Sequence, residues 1–92
     1  VIFWLTFQYI IFDMETDNLT TLKEQESGFV VKVGGSLHLK RRLLDLGFTE
    51  GTLVRIINIS PLKNSYLVEL HGYIIALRNN AVKCVEVVKA DV

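Results

Sequence analysis

The chain has 92 residues, of which 50% are hydrophobic and 22% are charged, and ten basic residues balance ten acidic ones. This length accommodates one compact domain with a modest core, but not a catalytic domain together with a regulatory one. The composition excludes intrinsic disorder, and the zero net charge provides no global field that would concentrate nucleic acid or an anionic membrane. We therefore expect a single folded domain that does not bind nucleic acid.

The first segment, Val1 to Phe12, is almost wholly apolar and aromatic. It is well short of the roughly 20 residues that span a bilayer, and it lacks the flanking features of a secretory signal. Because Met14 follows, we expect Val1 to Asp13 to be an apolar extension ahead of the native domain, which then covers residues 14–92. An interaction strand or an anchoring segment is the alternative.

The polar lead-in that follows contains Leu19 and Leu22, an i, i+3 pair that can anchor one turn to the core. The run Phe29–Val33 is β-branched and aromatic, begins after Gly28 and stops at a Gly-Gly pair. This pattern predicts a short first strand between two turns.

An amphipathic helix is predicted next, over residues 36–46. Leu39, Leu43 and Leu46 fall at i, i+4 and i+7 on one face. Ser36 is suited to cap the N-terminus, and Gly47 supplies the left-handed residue that lets the chain leave the helix. Both ends of the helix are therefore specified locally.

Beyond Gly51 the pattern returns to strands, which are predicted at Leu53–Ile59, Tyr66–Leu70, Tyr73–Leu77 and Cys84–Val88. The two-residue connection His71-Gly72 fits a tight hairpin. Five short strands with one helix after the first predict a mostly β fold. A small, closed or nearly closed barrel is expected, because a flat sheet would leave too much edge and apolar face exposed.

The sequence carries no pattern typical of catalysis or of a metal centre. No serine stands in a nucleophile-elbow motif that its two histidines, His38 and His71, could serve as a general base. The histidines and Cys84 also form no C-x-x-C or H-x-x-H pair that is typical of a zinc site. We therefore predict a protein that is not an enzyme, has no dedicated metal site and requires no cofactor. Weak binding of a divalent ion through His71 with Glu69 or Glu86 stays open.

The single cysteine and one basic patch bear on location and partners. One cysteine cannot form an internal disulfide, and a domain this small in an oxidising compartment would usually need several, so a cytoplasmic location is expected. Lys40 and Arg41 on the helix, together with Leu62 in the Pro61-Leu62 loop, form the predicted partner-binding surface. Charge would steer the partner and Leu62 would anchor it; ordinary solvated surface is the alternative.

The sequence resembles the FeoA family, ferrous iron transport protein A, over essentially everything from Leu19 to Val88. The matching motifs are Gly34-Gly35-Ser36-Leu37, the run from Arg42 through Leu46-Gly47-Phe48 to Val54, Ser60-Pro61-Leu62, Glu69-Leu70-His71-Gly72-Tyr73 and Ile75-Ala76-Leu77-Arg78. The resemblance implies a cytoplasmic SH3-like barrel that docks on the cytoplasmic part of FeoB, a membrane-embedded ferrous iron transporter, and regulates it. The membrane would be involved only through that transporter.

Two turns depart from the family pattern. The family often carries Pro-Gly in the lead-in turn and Gly-Asp after Pro-Leu, where this chain has Glu24-Gln25 and Lys63-Asn64-Ser65. The module also occurs behind the DNA-binding domains of metal-dependent repressors, but this chain has no room for a helix-turn-helix.

Two alternative functions stay open. One is a metal sensor that binds a divalent ion through His71 or Cys84. The other is a peptide-binding barrel with Tyr66 and Tyr73 in an exposed groove, although strand alternation can bury either tyrosine.

Overall fold

The computed structural model describes residues 16–90, so the expected extension, residues 1–13, lies outside the described part. The described residues form six strands: β1 (Asp17–Asn18), β2 (Ser27–Val33), β3 (Leu53–Ile59), β4 (Ser65–Leu70), β5 (Tyr73–Arg78) and β6 (Val85–Lys89). The helices are α1 (Leu37–Leu46) and α2 (Asn79–Val82), and a 3-10 turn spans Leu19–Thr21. The expected mostly β fold is confirmed.

All strand pairs are antiparallel, and the sheet order is β1-β6-β2-β3-β4-β5. The 3-10 turn that follows β1 contacts α2, which follows β5, so the two ends of the sheet approach each other. Register shifts within β2 and β3 mark bulges, which increase local twist and help the sheet to curl. The sheet therefore closes towards a barrel.

The order of the elements differs from the prediction at two places. The helix α1 follows the second strand and not the first, because the two-residue strand β1 pairs with β6 through Asp17–Val87 and Asn18–Glu86. The predicted break after β5 is instead the single helical turn α2, which buries Ala81 and Val82. The other strands begin and end within about two residues of their predicted limits.

The core lies inside the curled sheet and is closed by α1 and the lead-in. Strand alternation supplies most of it, as in β4, where Tyr66, Val68 and Leu70 point inward. Leu19 and Leu22 are both buried, which confirms that the lead-in anchors one turn to the core. The largest fully buried side chains are Phe48, Leu19, Leu43, Ile56, Leu70, Val30, Val54, Val68, Val82, Val85 and Val87.

The helix α1 has the ends that the sequence predicts. The Ser36 hydroxyl accepts the Leu39 backbone N–H at 3.2 Å, and Gly47 leaves the helix at φ 111°. Leu43 is fully buried, while Leu39 and Leu46 pack against the core from the same face. The leucine stripe therefore holds α1 on the barrel.

The β4–β5 hairpin is a type I′ turn, because His71 and Gly72 both have positive φ, 51° and 82°. Leu70 pairs with Tyr73 across the turn, and the residues of the two strands continue to pair one to one, without a bulge, as far as Ser65 and Arg78. In an antiparallel ladder, alternate residues direct their N–H and C=O groups to opposite sides. The backbone groups of every second residue of β5 therefore point away from β4.

The two turns that depart from the family pattern both contain a residue in the left-handed region. Gln25 has φ 71° and Lys63 has φ 57°. A left-handed residue with a β-carbon costs about 1–2 kcal/mol, which explains why glycine suits these positions. The Gln25 side chain offsets the cost by donating to the Ile57 carbonyl at 3.1 Å and accepting from Arg55 at 2.7 Å.

We predict that Lys63→Gly raises the free energy of unfolding by about 0.5–1 kcal/mol, because relief of the left-handed strain exceeds the entropy that glycine gains in the unfolded chain. Gln25→Gly is the matched control. It should gain less or lose stability, because it removes the bonds to Ile57 and Arg55. Urea denaturation of the three proteins provides the test, and an equal gain for both variants would contradict it.

Candidate partner-binding surface

The C-terminal end of α1 is fixed to the β4–β5 hairpin by two side chains. His71 Nε2 lies 3.2 Å from the Gly47 carbonyl oxygen, and the Tyr73 hydroxyl donates to the Leu46 carbonyl oxygen. These are carbonyls that the helix itself leaves without a partner. The contact requires glycine at position 47, because a β-carbon there would lie 2.9 Å from the His71 ring and 3.0 Å from the Tyr73 oxygen.

A cleft of about 360 Å³ separates α1 from β5. Its walls are Leu39, Arg42, Leu43 and Leu46 of α1, Ile75, Ala76, Leu77 and Arg78 of β5, and Asn80 and Ala81 of α2. The cleft is thus lined mainly by apolar side chains, and its charged lining residues are two arginines. Arg42 belongs to the basic run of α1, but its position three residues after Leu39 places it at the border of the leucine stripe.

The predicted partner-binding residues lie on two elements. Lys40 and Arg41 are exposed on α1, beside the cleft residue Arg42. Leu62 is 85% exposed at the tip of the β3–β4 turn. That turn is held by Ser60, whose hydroxyl accepts the backbone N–H of Asn64 and of Ser65, each at 3.1 Å.

The β3–β4 turn lies beside the polar lead-in, residues 20–24. A second cleft, of about 450 Å³, is lined by residues 20–24 together with Ile59, Ser60, Pro61, Lys63 and Tyr66. No described residue of α1 lines it. Leu62 therefore lies at the tip of a turn and the basic residues lie on α1. Among the described residues, no contact links Leu62 to Lys40 or Arg41.

The two tyrosines considered for an exposed peptide groove have different environments. Tyr66 points inward from β4 and is 3% exposed, whereas Tyr73 is 42% exposed. Tyr66 belongs to the core, and the Tyr73 hydroxyl is used on the Leu46 carbonyl. A groove built on both tyrosines is therefore wrong for this barrel.

The candidate metal ligands are dispersed in the described part of the chain. Residues 16–90 contain no group of three or more His, Cys, Asp or Glu side chains that could hold a metal ion. His71 Nε2 faces the Gly47 carbonyl, and Glu69 lines the same open cleft as His71. The Cys84 thiol donates to the Asn80 carbonyl oxygen at 3.3 Å and packs against Gly35.

The helices of the described part are short. The longest, α1, has ten residues, about half of what a bilayer crossing requires, so none of the helices within residues 16–90 could span a membrane.

A family model described as the FeoA domain matches residues 18–89, which is most of the chain. The chain belongs to the FeoA family. Members of this family are associated with ferrous iron transport and are generally non-catalytic accessory proteins. No curated protein matches the sequence of this chain.

Solved structures agree with this assignment. Zinc-bound FeoA from Stenotrophomonas maltophilia, described as a prokaryotic SH3 domain protein, is 31% identical with a TM-score of 0.67, over 76% of this chain and 87% of that chain. FeoA from Chlorobium tepidum is 26% identical with a TM-score of 0.75, over 80% of this chain and 70% of that chain. The expected SH3-like fold is confirmed.

The same fold also occurs in a larger protein. A manganese-dependent transcriptional repressor in complex with manganese has a TM-score of 0.76 at 15% identity, and the match covers 82% of this chain but 37% of the repressor chain. At this identity the likeness concerns the fold alone.

The contact between the end of α1 and the β4–β5 hairpin should not tolerate a side chain at position 47. Gly47→Ala should lower the free energy of unfolding by about 1–3 kcal/mol, because it combines a left-handed φ with a clash against His71 and Tyr73. Gly34→Ala is the matched control, since its β-carbon would meet only the Cys84 carbonyl at 3.8 Å. The control should be neutral or stabilising by up to about 1 kcal/mol. Equal melting temperatures for the two variants would show that α1 does not depend on this contact.

Proposed function

We propose that this chain is a cytoplasmic accessory protein of ferrous iron uptake, which docks on the cytoplasmic part of a FeoB-type transporter and regulates transport. The observation that carries the proposal is the FeoA match over residues 18–89. The Stenotrophomonas maltophilia relative, described as a candidate activating factor for ferrous iron transport, supports it at 31% identity. The proposed role is binding and involves no catalysis and no required cofactor.

The surface of the barrel supports a docking role. Leu62 is 85% exposed and projects from a turn that the Ser60 hydroxyl holds in place, so a partner that covered it would gain the free energy of burying its side chain. Lys40 and Arg41 add positive charge on α1. We assign Lys40 and Arg41 to electrostatic steering and Leu62 to anchoring, as the sequence predicts.

Divalent-metal sensing is the second candidate function that the sequence left open. The Stenotrophomonas maltophilia relative is a zinc complex. In the described part of this chain, however, no group of three potential ligands converges. We therefore assign no residue of this chain as a metal ligand, and docking is the function proposed.

The docking proposal predicts separable kinetic effects. Lys40→Glu combined with Arg41→Glu should slow association with the transporter's cytoplasmic domain about tenfold at low salt, and should weaken the salt dependence of association. Leu62→Ala should mainly speed dissociation, about three- to tenfold, because it removes buried apolar contact. Surface plasmon resonance at two salt concentrations separates the two rates.

Two variants serve as matched controls. Lys83→Glu reverses one exposed charge outside α1, and Leu53→Ala truncates an exposed leucine on β3. Neither should change the association or dissociation rate. Unchanged kinetics in a variant that combines Lys40→Glu, Arg41→Glu and Leu62→Ala, with circular dichroism showing an intact fold, would remove these three residues from the docking surface.

A further inference from the structure

The strand β5 is the last strand of the sheet and has an open edge. It pairs with β4 on one side, and no strand within residues 16–90 pairs with it on the other. From the type I′ turn onwards, the alternation of the ladder turns the N–H and C=O groups of Ile74 and Ala76 towards that open side. No backbone or side-chain hydrogen bond is described for these groups. Such an edge is a template for an added strand.

The helix α1 does not cover this edge, because the cleft lies between them. Leu39 and Leu46 on one wall and Ile75 on the other are only partly buried, and they offer apolar contact to side chains inserted between helix and strand. At one end of the cleft, the spacing between α1 and β5 is fixed by the hydrogen bond that the Tyr73 hydroxyl donates to the Leu46 carbonyl oxygen. The edge and the apolar walls therefore form one continuous binding surface.

The charge of the cleft is uniformly positive. Arg42 and Arg78 line it from opposite walls, and none of its described lining residues is acidic. Within residues 16–90 no ion pair is described for either arginine, whereas Lys89 pairs with Glu26 at 2.8 Å on another part of the barrel. Two guanidinium groups beside a backbone edge are complementary to carboxylates on an extended peptide.

We propose that the cleft between α1 and β5 binds an extended acidic segment of a partner protein, which adds as a strand to the free edge of β5. Its backbone would pair with Ile74 and Ala76, and its carboxylates would meet Arg42 and Arg78. Alternate apolar side chains of the segment would insert between the helix and the strand. This deepens the docking role proposed above and rests on it only for the identity of the partner.

Peptide binding tests the surface directly. The probe is a blocked hexapeptide of alternating Glu and Val, titrated into the isotope-labelled full chain and followed by amide NMR shifts. We expect the largest shifts at Ile74, Ala76 and Arg42. A Lys-Val hexapeptide of the same length should produce none, because Arg42 and Arg78 repel it. Shifts confined to other surfaces, or none at all with the acidic probe, would overturn the proposal.

Variants and a modified probe separate charge recognition from strand pairing. Arg42→Glu combined with Arg78→Glu should weaken peptide binding at least about tenfold, while Lys83→Glu leaves it unchanged. Ala76→Pro removes the outward N–H and should abolish binding, whereas Ala76→Ser keeps the N–H and should bind normally. A probe with alternate backbone nitrogens methylated tests the same pairing without altering the protein. Undiminished binding of the methylated probe would overturn strand addition.

The same variants distinguish this proposal from the docking function. If the transporter's cytoplasmic domain binds the wild-type chain and the Arg42, Arg78 double variant equally, docking stands and the cleft proposal fails. If the acidic peptide binds the cleft while the transporter domain does not bind the chain, the cleft proposal stands and the identity of the partner is wrong.

Discussion

The position of α1 over the sheet depends on how its last turn is held by the β4–β5 hairpin. The Tyr73 hydroxyl and the His71 ring lie on the carbonyls of Leu46 and Gly47, at the point where the chain leaves the helix in a left-handed conformation. The hairpin can deliver both side chains because the type I′ turn places them on either side of Gly72. Without this contact, the leucine stripe and the buried Phe48 would be left to orient the helix.

This constraint also creates the surface that we assign to partners. A helix held at its end against the start of β5, and packed through leucines along its length, leaves a cleft beside the edge of that strand. An uncovered edge strand can pair with the edge strand of another chain and cause aggregation, and charged residues beside the edge commonly prevent this. Arg42 and Arg78 can serve both purposes, because charges that deter a second copy of this edge also select an acidic segment.

Much of the fold could be predicted because its signals are local. Ser36 and Gly47 define the ends of α1 by their own backbone preferences, and runs of apolar residues, many of them β-branched or aromatic, identify the five longer strands between turn residues. The strand β1 could not be predicted, because Asp17 and Asn18 have no strand preference and extend only through pairing with β6. Nor could the different exposure of Tyr66 and Tyr73, because the register places both on the same face of the sheet and Tyr73 is exposed by its position next to the hairpin turn.

The candidate surface was less accessible to sequence reasoning. Lys40, Arg41 and Leu62 are recognisable as exposed charge and an exposed loop leucine, and their role in docking stays a prediction. The cleft is lined by both Arg42 and Arg78, which are 36 positions apart in the sequence and come to the same cleft only through the tertiary fold. For Arg42 the sequence carries one signal, its position at the border of the leucine stripe. Arg78 gave none.

Hydrogen exchange of the chain, free and bound to the transporter's cytoplasmic domain, shows whether the partner pairs with the edge of β5. In the proposed complex the chain acts by docking, and the free edge of β5 receives the partner. Binding should therefore slow exchange at the amides of Ile74 and Ala76, which are not bonded within the sheet, while the buried amides of β2 and β6 exchange as before. Protection confined to other surfaces, with Ile74 and Ala76 exchanging at their free rates in the complex, would contradict it.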